Sequence, residues 1–266
     1  MRKAVVISFA NQKGGVGKTT TVSEVGENLA RVYNKKVLMI DIDPQSSLTT
    51  LKSNMSKILH DNKKTISDVM MKKTDLIDVI LPIKQNLDLA PSTLFLSDVE
   101  LNLVSATMRE IVLQKAINKI KSCYDYVLID CPPSRGLLTV NALAASNYVI
   151  IPVQAEYQAL IGMQLLKNTI KNVQNEINSH LNVGGYVITM TSHTNHSNET
   201  ANSIKKDKFQ TLSEISRSID VADAGVANMA THEYNPDNKA GLQYLRLSKY
   251  ISKMEWEKWL IEKENQ

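Results

Sequence analysis

The sequence predicts an α/β fold with a mostly parallel, twisted sheet flanked by helices. Three observations predict it. The core must be mostly aliphatic, because the 266 residues are 43% hydrophobic but only 5% aromatic, and strands buried on both faces favour Val, Ile and Leu. A glycine-rich loop, Lys13-Gly14-Gly15-Val16-Gly17-Lys18-Thr19-Thr20, stands between an apolar run and a helix-like run. Two further apolar runs, Val37-Leu38-Met39-Ile40 and Tyr126-Val127-Leu128-Ile129, lead into aspartates, Asp41 and Asp130, and open α/β sheets bind their ligands at the C-terminal ends of strands.

Residues 4–10 read as the first strand. A strand, a turn with three glycines and a helix start gather backbone N–H groups and the positive end of a helix around one anion. In that setting Lys18 reaches the β and γ oxygens of a nucleotide, and the Thr19 hydroxyl completes the shell of a bridging Mg²⁺. The general pattern G-x-x-x-x-G-K-[ST] would place its first glycine at Asn11 or Gln12, and neither is glycine. A second lysine, Lys13, stands directly before the glycine pair instead.

Residues 21–32 carry Val22, Val25, Leu29 and Val32 on one helix face. Residues 36–40 form a short buried strand that delivers Asp41 and Asp43 beside the loop. By itself, Asp41-Ile42-Asp43-Pro44-Gln45 fits either a pair of site carboxylates or a helix cap followed by a proline turn. Residues 48–73 are polar, and Lys52, Lys57, Lys63, Lys64, Lys72 and Lys73 look like a solvated face. Short strands are expected at 79–83 and 87–90, and a long helix over 101–120 with Leu101, Val104, Met108, Ile111, Val112 and Ile120 as its apolar stripe. Tyr126 to Asp130 and the following Cys131-Pro132-Pro133 form a Walker B pattern, a buried strand holding an acid that binds Mg²⁺ through water. A helix over 137–145, strands at 148–153 and 185–191, and an amphipathic helix over about 239–262 complete the reading. No repeat, Gly/Ser linker or low-complexity tract interrupts it, so one domain spanning 1–266 is expected.

Composition excludes several classes. The formal charge of +4 is a mild basic excess that allows phosphate-bearing partners without demanding them. Cys123 and Cys131 have no C-x-x-C or histidine companions, so neither a zinc site nor a disulfide framework is indicated, and a reducing cytoplasm is the simplest setting. No stretch approaches the roughly 18 apolar residues of a membrane span. The residues Met1-Arg2-Lys3 before the first apolar run resemble the start of a secretion signal, but the run passes straight into the phosphate loop.

The K-G-G-V-G-K-T-T segment resembles the deviant Walker A motif of the ParA/MinD group of P-loop ATPases. D-x-D-P-Q at Asp41–Gln45 is similar to that family's second motif. Ile151-Pro152-Val153 with Glu156, Ala159, Leu160 and Gly162 is very like its I-P-V-x-x-E-x-x-A-L-x-G segment. The resemblance covers about residues 3–191 closely and the rest loosely, and within it ParA-type DNA partition ATPases are the best match. It implies a P-loop NTPase fold, with ATP and Mg²⁺ as cofactors. Lys13 reaches across an ATP-sandwiched homodimer, Lys18 binds phosphate, Thr19 and Asp130 hold the metal, and Asp43 aligns the attacking water. Asp41 supports the metal shell or the loop, and Ala90-Pro91-Ser92 is similar to a segment lying near the partner subunit.

The resemblance further implies weak hydrolysis until a ParB-like centromere-binding partner stimulates it, non-specific DNA binding, and a cytoplasmic, nucleoid-associated protein. Candidates for DNA contact are Lys205, Lys206, Lys208, Arg217, Arg246, Lys249 and Lys253, though a solvated lysine face explains the same letters. The chain starts at the first strand, so no N-terminal helix-turn-helix domain is expected. Two alternatives share the pocket. One is a MinD-like membrane-associated ATPase, opposed by a tail over 251–266 in which three lysines face four glutamates and kept open by Trp256 and Trp259. The other is a nucleotide-switched scaffold or filament.

Overall fold

A computed structural model describes residues 4–156, 159–192 and 194–253. Among them, β1 (Val5–Phe9), β2 (Val37–Asp41), β3 (Leu81–Lys84), β4 (Leu87–Ala90), β5 (Tyr126–Asp130), β6 (Tyr148–Gln154), β7 (Asn182–Thr191) and β8 (Thr211–Ser216) form one sheet. Its order is β3-β4-β2-β5-β1-β6-β7-β8. Every pairing is parallel except β3 with β4, where the chain turns at Gln85-Asn86 and adds an antiparallel edge. The fold class read from the sequence is the one observed.

Side chains alternate across the sheet with the period of two that strand geometry imposes. Val6, Leu38, Ile40, Val127 and Ile129 face one core, beneath the helices Val112–Ile120, Leu137–Ala145 and Ala159–Glu176. Ile7, Phe9, Met39, Leu128 and Ile150 face the other, beneath α1 (Lys18–Arg31) and the C-terminal helix Lys239–Lys253. Gly26 lets α1 approach β2 closely, since a Cβ there would lie 2.8 Å from Met39 Sδ.

Three differences from the expected elements have local causes. The helix expected over 101–120 is broken into Leu96–Leu103 and Val112–Ile120, with Met108 left-handed at φ 56 between them. Asn141 on the next helix fixes the break: its Oδ1 accepts from Leu113 N at 3.2 Å and its Nδ2 donates to Arg109 O at 2.7 Å. Leu101, Val104 and Met108, expected in the stripe, are therefore exposed. Lys52 is not part of a solvated face but is buried against Glu27, whereas Lys57, Lys63, Lys64, Lys72 and Lys73 are exposed as expected. The final helix is described to Lys253, so Trp256, Trp259 and the other residues from 254 to 266 of the tail expected to be net acidic lie outside the described residues, as do Met1–Lys3, Tyr157, Gln158 and His193.

Candidate nucleotide site

The parallel register sets the site. Phe9 and Asp41 are both opposite Asp130, so the start of the glycine loop and two carboxylates share one level at the C-terminal edge. Asn11, at a place where the general motif would have a glycine, ties the loop down: its Nδ2 donates to Pro152 O at 2.7 Å and its Oδ1 accepts from Lys13 N at 3.0 Å. Thr189 of β7 donates to Val16 O at 2.8 Å. Gly17 is left-handed at φ 80, a conformation disfavoured for side chains with a Cβ, and it turns the chain into α1. The first N–H groups of a helix have no intrahelical acceptor, and here they open onto the loop. A Cβ at Gly14 or Gly15 would meet nothing within 4 Å, so the cradle is open.

The charges around this loop are buried and incompletely paired. Lys18 is 7% exposed, and its Nζ donates to Lys13 O at 3.3 Å. Burial lowers its pKa, with Asp130 opposing the shift. Asp130 is fully buried, and burial and the neighbouring Asp41 carboxylate push its pKa well up. Its Oδ2 accepts from Thr19 Oγ1 at 2.6 Å, while Oδ1 is buried with no hydrogen-bond partner among the described residues. An orphaned carboxylate oxygen beside a hydroxyl fits a Mg²⁺ that takes its remaining ligands from phosphate and water. No group of three His, Cys, Asp or Glu side chains among the described residues offers a metal site made by protein alone.

Asp43 is 8% exposed, and its Oδ1 accepts from Gln45 N at 2.9 Å. Asp41 serves the loop: Oδ1 accepts from Asp43 N, and Oδ2 accepts from both Thr49 N and Thr49 Oγ1. Burial raises its pKa to about 6. Lys13 turns its ammonium to Glu156 of its own chain, a pair that is partly exposed on both sides. Beside Gly17 lies a cavity of about 230 Å³ lined by Thr20, Thr189, Met190, Ile215, Arg217 and Tyr244, so the end of β7 borders an open space next to the loop.

The basic candidates separate. Arg217 is exposed and also lines that cavity. Lys205 pairs with Glu214 at 2.7 Å, and Lys208 Nζ lies 4.7 Å from the Phe209 ring centroid. Lys206, Lys208, Arg246, Lys249 and Lys253 are exposed. A hydrogen bond from Tyr250 Oη to Gln210 Oε1 brings the C-terminal helix beside the turn that carries Lys206 and Lys208. Sequence reasoning missed Thr49, Thr189 and the buried pairing of Lys52. A threonine or lysine carries no local signal of a partner that only the fold brings beside it, as Glu27 is brought to Lys52 and Val16 to Thr189.

A mostly parallel sheet with a two-lysine phosphate loop after β1, an acid ending β5 and a second acid after β2 defines a P-loop ATPase of the deviant Walker A class. A family model described as an AAA domain matches residues 4–183. The chain is 39% identical over 253 residues to the sporulation initiation inhibitor protein Soj of Bacillus subtilis, covering 93% of this chain and 98% of that one. It is 36% identical over 250 residues to the chromosome-partitioning ATPase Soj of Treponema pallidum, covering 91% and 95%. The solved cobyrinic acid a,c-diamide synthase of Mycobacterium smegmatis, with a bound ATP analog and magnesium, superposes with a TM-score of 0.81 at 29% identity, covering 93% and 94%. The chain belongs to the ParA family.

Proposed function

We propose that this protein is a ParA-type DNA partition ATPase. The observation that carries the reading is the presence, in one loop, of a buried Lys18 and a second, partly exposed Lys13, near an Asp130 whose Oδ1 has no hydrogen-bond partner among the described residues. The reading is supported by a relative that carries the name chromosome-partitioning ATPase. Gly14 to Thr20 hold the phosphates of ATP, with Lys18 offsetting their charge. Thr19 and Asp130 hold Mg²⁺, which when bound neutralises charge developing between the β and γ phosphates. Asp43 orients water for in-line attack. The 230 Å³ cavity takes the base, with Arg217 at its rim. Lys13 serves the nucleotide of a second copy, so the pair with Glu156 must open when an ATP-bound homodimer forms.

The exposed lysines at the β8 edge and the C-terminal helix contact DNA phosphates without reading sequence, and a DNA-bound, ParB-like partner completes a site that is slow by itself. No described helix is long and apolar enough to cross a membrane. The test is a titration of the protein against nonspecific duplex DNA and anionic liposomes, with ATP, with ADP and without nucleotide, at two salt concentrations. ATP alone should switch on DNA binding that weakens with salt. Liposome binding with no DNA binding would overturn the reading.

A further inference from the structure

Asp43 lies on a loop between β2 and a short helix, Ser47–Lys52, and is followed by a proline. A catalytic carboxylate on a loop needs support from packed elements to keep its aim. That support is a closed ring of hydrogen bonds. Asp43 N donates to Asp41 Oδ1 at 3.1 Å, and Asp41 Oδ2 accepts from Thr49 Oγ1 at 2.7 Å and Thr49 N at 2.8 Å. Thr49 Oγ1 accepts from Ser92 N at 2.8 Å, and Ser92 Oγ returns to Asp43 O at 2.9 Å. Asp41, Thr49 and Ser92 are 0% exposed and Asp43 8%, so water does not compete for these bonds.

We propose that Ser92 and Thr49 are positioning residues that hold the Asp43 loop in its hydrolytic geometry. The inference rests on Asp43 being the water-orienting group. Ser92 follows β4, which pairs with β2 through Ile40 and Ala90, so the ring ties Asp43 to the ends of both strands and to the helix Ser47–Lys52. No atom of the ring belongs to residues 13–20 or to Asp130. The ring therefore governs turnover and leaves nucleotide capture alone.

The experiment measures kcat for ATP, Mg·ATP affinity and thermal stability in the full chain for Ser92→Ala, Thr49→Val and Thr49→Ser, with Asp43→Ala as reference. Thr49→Val keeps the volume and removes the hydroxyl, while Thr49→Ser keeps the hydroxyl. Loosening a catalytic group costs on the order of ten- to a hundredfold in rate. Ser92→Ala and Thr49→Val should lose kcat on that scale with Mg·ATP affinity unchanged, and Thr49→Ser should restore turnover to near the parent. If Ser92→Ala does not fold, Ser92→Cys, slightly larger than serine and a weaker donor, should give a smaller loss. Parent-like kcat in Thr49→Val and the Ser92 variant, with Asp43→Ala inactive, overturns the ring. So does loss of nucleotide affinity in step with kcat. Normal turnover by Asp43→Ala instead overturns the reading of Asp43 itself.

Discussion

Charge is buried at both ends of α1, and the two ends treat it in opposite ways. At the N-terminal end, among the described residues, Asp130 has one oxygen on Thr19 and no hydrogen-bond partner for the other, and Lys18 makes a long bond to a backbone carbonyl. Toward the other end, Glu27 is fully buried and has both oxygens occupied: Lys52 donates at 2.8 Å, and Lys84 donates to Oε1 at 2.9 Å and Oε2 at 3.1 Å. Lys52 and Lys84 also reach the side chain and the carbonyl of Asn228. A buried charge satisfied within the chain is structural, since its desolvation is already offset. A buried charge left unsatisfied is destabilising until a ligand arrives, which marks a place built to bind.

The largest effect that could break this contrast is at Lys18. Lys18→Ala should abolish Mg·ATP binding in calorimetric titration while the apo protein stays folded, since an incompletely paired cation adds little to stability. Unimpaired binding would remove Lys18 from the site. Lys52→Ala should do the reverse, lowering stability by about 3 kcal/mol in denaturant unfolding and leaving nucleotide affinity within about tenfold.

Asp130→Asn sharpens the comparison because it should move stability and binding in opposite directions. The Asp130 pKa is raised in the fold, so its stabilising contribution is present when it is protonated in acid and is lost as pH rises through the folded value. The apo variant should therefore be more stable than the parent at about pH 8, with the gap closing near about pH 4 where the parent acid is also neutral. Thermal melts across that range check the sign, and Mg²⁺-dependent nucleotide affinity should be lost throughout. The smallest effect is at Glu156: Glu156→Gln should change stability by less than about 1 kcal/mol, as exposed ion pairs do. By freeing Lys13, it should increase ATP-dependent self-association in sedimentation.

Legibility followed the same divide. That Lys18, Thr19 and Asp130 come together was readable, because the glycine-loop and strand-acid patterns fix residue types at set spacing next to a strand or helix. The strands bearing them were readable because short aliphatic runs ending in an acid or a turn admit few other readings. Lys52 was not, since a buried lysine and a solvated one look alike until Glu27, 25 residues earlier, is brought beside it. The break near Met108 was hidden for a similar reason: the apolar spacing through 101–120 is helical, and only Asn141 from another helix interrupts it. The strand Thr211–Ser216 carries no strong apolar run and is only partly buried apart from Ile215.

The sequence by itself determined the class of the sheet, the phosphate loop, the acid that ends β5 and the family, because each is a local pattern enforced by backbone geometry and charge. Only the tertiary structure decided which hydroxyls fasten Asp43, that Lys13 rests on Glu156, that Arg217 lines the cavity beside the loop, and which lysines are buried. These depend on long-range register: the pairing of β2 with β4 brings Ser92 to Asp43, across 49 positions of chain. Side-chain pairing over such distances is selected by the packing of the whole sheet, and no short stretch of sequence carries it.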